Sequence, residues 1–162
     1  MYKEFLAVWS KTNPGALFAL GVLCAVLSVA SCTTAPSETF TPAESPAPGK
    51  ALVYLYRSFL AGGVGINDIT LFANGKPVVS LPYNTYYPYL TNPGEIQFTG
   101  RFQRGSPASL TLSAKGGQTY FIRAKIRVGP FQEEATLALV EQSTGEEEVR
   151  VCEKVGEKNV VH

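Results

Sequence analysis

Few residues in this chain can do chemistry, and their spacing suits catalysis poorly. The single histidine is His162, at a terminus that cannot hold an imidazole in fixed geometry for a nucleophilic triad or a zinc site. Asp68 is the only aspartate, so a calcium loop built on clustered aspartates is not expected. Gly62-Gly63-Val64-Gly65 lacks a following Gly-Lys-Ser/Thr and reads as a flexible turn, not a phosphate cradle. The runs Glu133-Glu134 and Glu146-Glu147-Glu148 read as solvated loop or tail residues, because nothing in their spacing positions an acid/base pair. An enzyme on this chain would have to draw on Glu95, Arg57 or Asp68. The expectation is therefore no catalysis, no metal and no cofactor.

Two clusters remain, and each has two readings. Tyr83, Tyr86, Tyr87 and Tyr89 fall within one short segment. On a strand, Tyr87 and Tyr89 share a face and Tyr86 takes the other. Exposed rings there would stack on sugars or form a protein interface; buried rings would fill the core and cover its edge. In the run from Tyr120 to Val128, alternation puts Tyr120, Ile122, Ala124, Ile126 and Val128 on one face. Phe121, Arg123, Lys125 and Arg127 take the other. The three cations form either an anion site or a solvated face balanced by Glu133, Glu134 or Glu141 on the next strand.

The cysteines carry the strongest signal. Residues 1–15 are weakly basic, with Lys3 and Lys11 against Glu4, and Ala16 to Ala30 is uncharged and apolar. At about 15 residues this run is shorter than the roughly 20 a membrane-crossing helix needs. A basic stretch, a short apolar stretch and small residues at a cut site are the parts of a secretory signal. The segment Leu27-Ser28-Val29-Ala30-Ser31-Cys32 resembles the lipobox of bacterial lipoproteins; an uncleaved membrane anchor is the alternative. The resemblance implies that Cys32 becomes the first mature residue and carries acyl chains. Two or more chains anchor stably, each buried methylene contributing about 0.8 kcal/mol. Thr33 in place of Asp implies the outer membrane, facing the periplasm, in a two-membrane bacterium. Cys24 would be lost with the signal. Cys152 then has no intramolecular partner, and is either buried and inert or bridged to another chain.

Removing residues 1–31 of the 162 leaves 131, with twelve basic and twelve acidic side chains once two lysines and one glutamate are gone. Such a neutral chain has no electrostatic drive towards nucleic acid. Residues 32–50, with Pro36, Pro42, Pro46 and Pro48, read as a disordered tether. Fully extended, its 18 residues after Cys32 would reach about 55 Å. Phe40, an isolated aromatic in that tether, is assigned no role.

The elements that must position the clusters lie between residues 51 and 152. Short apolar runs alternate with turn signals: Ala51 to Arg57, Asp68 to Ala73, Lys76 to Leu81, Thr85 to Leu90, Glu95 to Phe102, Ser109 to Ala114, Gln118 to Val128, Ala135 to Gln142 and Glu147 to Cys152. Asn74-Gly75 is a two-residue hairpin signal, and Pro88 keeps its strand at an edge or bulge. Ser143-Thr144-Gly145 reads as a turn, and no segment shows a sustained helical period. The expectation is an all-β protein, an antiparallel β-sandwich preceded by a signal helix and the tether, with residues 153–162 as a tail.

The segments ALVYLYR (Ala51 to Arg57), LFANGKPVVSLPYNTYYPYLTNPGEIQF (Leu71 to Phe98) and GGQTYFIRA (Gly116 to Ala124) together resemble a bacterial lipoprotein domain, domain of unknown function 2846. The resemblance spans roughly Ala51 to Gln142. It implies a transthyretin-like or immunoglobulin-like sandwich and carries over no catalytic residue. Together these readings predict a lipid-anchored module of the bacterial cell envelope with a structural or protein-interaction role. Its partners would be the membrane, through Cys32, and an envelope protein. The alternative is a peptidoglycan or glycan binder using Tyr86, Tyr87 and Tyr89.

Overall fold

The computed structural model describes Phe40 and residues 46–63, 67–103 and 105–161. The expected signal segment, Cys32 and most of the tether lie outside these residues. Among the described residues, nine strands form two packed sheets, as expected for an all-β sandwich. They are β1 (Ala51–Arg57), β2 (Ile69–Ala73), β3 (Lys76–Leu81), β4 (Thr85–Thr91), β5 (Gly94–Arg101), β6 (Ala108–Ala114), β7 (Thr119–Val128), β8 (Glu133–Val140) and the short β9 (Glu153–Lys154). One sheet has the order β8-β7-β1-β4-β9 and the other β3-β2-β5-β6.

Alternation decides what each strand contributes. Val53 and Leu55 of β1, Ile69 and Leu71 of β2, Phe98 of β5, and Ile122, Ala124 and Ile126 of β7 meet between the sheets. In β1 every residue is buried, because it is an inner strand covered on both faces. Its second set, Leu52, Tyr54 and Tyr56, belongs to a separate apolar cluster on the outer face of the five-stranded sheet. Asn74 and Gly75 both take positive φ in the β2–β3 turn, where Asn and Gly tolerate the left-handed region. Pro88 pairs with Tyr54 on one side; on the other, β9 reaches only Thr85 and Tyr86, so the missing N–H of Pro88 costs no ladder bond.

The antiparallel-rich sandwich contains two parallel pairs, and two other expectations are corrected. The five-stranded sheet is mixed: β1 runs parallel to β7, and β4 parallel to β9. The chain builds the entire second sheet between β1 and β7, which gives the long crossover a parallel pair requires. Next, the segment read as a turn and strand, Ser143 to Cys152, lies mostly in helix α1, Gln142–Arg150. Its buried residues Gly145, Glu148 and Val149, followed by Cys152, recur at i, i+3, i+4 and i+7. That is a helical face, but it holds a glycine and a glutamate, so it carries no apolar period. Gly145 lets the helix close on β7: a Cβ there would stand 2.3 Å from Cγ of Phe121.

Lastly, the segment read as a tail belongs to the sandwich. Val155 is buried in the inner core, its N–H donates to Tyr86 O at 2.9 Å, and Val160 bridges to Val79. Among the described residues no helix is long and apolar enough to cross a membrane.

Candidate functional site

The outer face of the five-stranded sheet gathers most of the residues the sequence singles out. Helix α1 crosses it, so the expected stripe of exposed cations is partly covered. Arg123 forms an ion pair with Glu148, Nη1 to Oε1 at 2.7 Å, and the other oxygen of Glu148 accepts from the buried Tyr56 hydroxyl at 2.5 Å. Lys125 donates to the carbonyl oxygen of Ala61 at 2.7 Å, in the 3-10 turn Phe59–Ala61. Only Arg127 is exposed, opposite Glu134 across β7 and β8. The balancing carboxylate for Arg123 was expected on the neighbouring strand and comes instead from the helix. Two of the three cations thus hold structure together.

The electrostatics agree with a structural role. Burial, then the hydrogen bond to Glu148, pushes the Tyr56 hydroxyl far above its usual range, so it stays protonated and donates. Burial lowers the pKa of Lys125, and the neighbouring Arg123 adds to this. Burial pushes the Cys152 thiol up to about 11, so it holds its proton at neutral pH. This thiol is free and buried, 3.3 Å from Glu148 O, where it behaves as a small apolar group rather than a nucleophile.

The tyrosines divide between the two faces of β4, and one of them is corrected. Tyr86 is buried at 6% exposure and is no surface ring. Phe40 covers it edge-on at 5.4 Å and meets Tyr54 edge-on at 5.2 Å, while Tyr54 stacks on Phe121 at 5.1 Å. Tyr87 and Tyr89 turn the other way, half-buried against the inner core, with Tyr89 edge-on to Phe98 at 6.0 Å. Tyr86 is therefore core, Tyr87 and Tyr89 cover the edge of the inner core, and Tyr83 stays exposed.

Sequence reasoning passed over three residues. Phe40 closes the aromatic cluster, and no signal in its proline-rich surroundings marks it. Glu148 is equally unmarked, because the helix face it shares with Gly145 and Cys152 has no apolar stripe. Asn84, at φ 61°, ties three segments: its side chain accepts from Phe59 N at 3.4 Å and donates to Val151 O at 2.9 Å, and its carbonyl accepts from Glu153 N at 3.0 Å.

Of the three groups singled out for catalysis, Glu95 stands apart from Arg57 and Asp68. Arg57 is buried and donates to the carbonyls of Asn67 and Leu81; burial lowers its pKa and Asp68 opposes this. Glu95 is exposed near the start of β5, while Arg101 at the far end of that strand pairs with Thr70, two residues from Asp68. Glu95 and Arg101 are six strand steps apart, about 20 Å. Among the described residues no three His, Cys, Asp or Glu side chains are placed to hold a metal ion.

No family model matches this chain, and no curated protein or solved structure does either.

Proposed function

We propose that this chain is a lipid-anchored module of the bacterial cell envelope, held through Cys32, with a structural or protein-interaction role and no catalysis. The resemblance to domain of unknown function 2846 lipoproteins belongs to this reading. The observation that carries it is Phe40 seated on Tyr54 and Tyr86. A residue from the proline-rich segment just beyond Cys32 is built into the sandwich, as expected if that segment has to transmit a hold on the domain.

The docking changes the tether. Phe40 lies eight positions after Cys32, so the chain between them can span at most about 28 Å. A tether that was free to residue 50 would reach about twice as far. The ionisable side chains support the non-catalytic half, because Glu148, Tyr56, Arg123 and Arg57 are committed to internal partners.

Fractionation tests the reading. The wild-type chain should pellet with membranes, dissolve in detergent and take up a clickable palmitate analogue. Cys32→Ala should appear in the soluble fraction, or as an unprocessed precursor, without label. Wild-type protein in the soluble fraction, or equal labelling of both forms, ends the anchoring proposal.

A further inference from the structure

The four-stranded sheet offers the opposite outer face of the sandwich from the one Phe40 covers. A groove of about 620 Å³ opens there, a size within the range of small-molecule sites. The register explains its lining. Ser80 of β3 and Arg101 of β5 both pair with Thr70 of β2, so the three side chains form one row across three strands. The inward positions of these strands, Ile69, Leu71, Leu81 and Phe98, are core residues, which turns Thr70, Phe72, Ser80 and Arg101 outward. At about 4.8 Å per strand the row is about 10 Å long, the length of one or two sugar rings.

Arg101 supplies the charge. Its guanidinium lies over the Phe72 ring at 5.0 Å, and among the described residues this ring is the only partner of its side chain. Asp68 also lines the groove, near the buried Arg57, and among the described residues no ion pair joins it to Arg101. The groove therefore has a cation held over an aromatic ring and, among the described residues, in no ion pair. A stacked guanidinium keeps its N–H edge available for a planar carboxylate. Around it stand hydroxyls and the side-chain amide of Gln103, groups that suit a polyol better than an apolar ligand.

We infer that this groove binds a saccharide of one or two rings bearing a carboxylate. The acid pairs with Arg101 and the ring hydroxyls with Thr70 and Ser80. The site differs from the tyrosines of the glycan reading and lies on the other sheet. It does not depend on lipidation of Cys32, so the two proposals fail separately.

Amide NMR titration of the full chain in detergent micelles tests it with three probes. N-acetylmuramic acid carries ring and carboxylate, N-acetylglucosamine the ring alone, and lactate the carboxylate alone. The acid sugar should give saturable shifts at Thr70, Ser80 and Arg101, with the other two at least tenfold weaker. Arg101→Gln should weaken the acid sugar at least tenfold while the spectrum elsewhere is retained. Thr70→Val, which preserves strand propensity, should weaken it severalfold and serves if the arginine variant does not fold. No saturable shift, shifts centred outside the groove, equal binding of either partial probe, or affinity unchanged in the variants overturns the inference.

Discussion

The Tyr56 hydroxyl donates to Glu148 at 2.5 Å across 92 positions of chain, and Glu148 binds Arg123 with its other oxygen. A central strand, a neighbouring strand and the only α-helix among the described residues are thus joined through one carboxylate. Glu148→Ala would leave a buried hydroxyl and a half-buried guanidinium without their acceptor. We expect a loss of about 3 kcal/mol in urea unfolding. Tyr56→Phe removes one bond and leaves the ion pair, so about half that loss is expected. Equal stability of Glu148→Ala and wild type would show that the helix is not held this way.

Gly145→Ala separates packing from propensity. In an isolated helix alanine is better than glycine by about 1 kcal/mol. Here the added Cβ would meet the Phe121 ring at 2.3 Å, closer than packed atoms approach. The helix must shift from β7, and a net loss of about 1–3 kcal/mol is expected by thermal or denaturant unfolding. A gain in stability would contradict the close contact.

Phe40→Ala uncovers Tyr54 and Tyr86. Burial of a phenylalanine in a core is worth about 3–5 kcal/mol on truncation, but this segment gives up chain entropy when it docks. A loss of about 2 kcal/mol is expected, with increased tyrosine solvent accessibility and faster proteolysis between residues 36 and 50. Unchanged stability and proteolysis would mean that Phe40 does not hold the tether.

Alkaline pH should destabilise the fold. The folded-state pKa of Cys152 is about 11 against an ordinary 9.0, and that of Tyr56 is also raised. The folded state therefore keeps protons that the unfolded state releases above about pH 9. Stability is complete below that value and falls as pH rises towards 11, by an amount on the order of 2 kcal/mol for the thiol. Cys152→Ala should make the fall between pH 9 and 11 shallower. A curve with the same slope in both proteins would remove the thiol from the account.

Much of the sandwich was legible because strand alternation is a local signal. Ile122, Ala124 and Ile126 face the core and Arg123 and Lys125 do not, as the period of two demands. The Asn74-Gly75 hairpin and the edge position of Pro88 were equally local. Helix α1 was not legible, because its buried face is Gly145, Glu148, Val149 and Cys152. Those residues lack an apolar stripe, and they form a face only because β7 offers the Phe121 ring and Arg123. Phe40 was illegible for a similar reason: its partners are 14 and 46 positions away, and no nearby residue marks it.

The sequence by itself determined the first eight strands, their inward faces, the scarcity of catalytic groups and the solitary state of Cys152 beyond Cys32. Each of these depends on residue type or on neighbours within a few positions. Only the tertiary structure decided which tyrosines are buried, that Glu148 rather than a strand carboxylate balances Arg123, and that Arg101 stands over Phe72. Those outcomes depend on strand order and on what covers each sheet face, and contacts between distant segments leave no period in the chain.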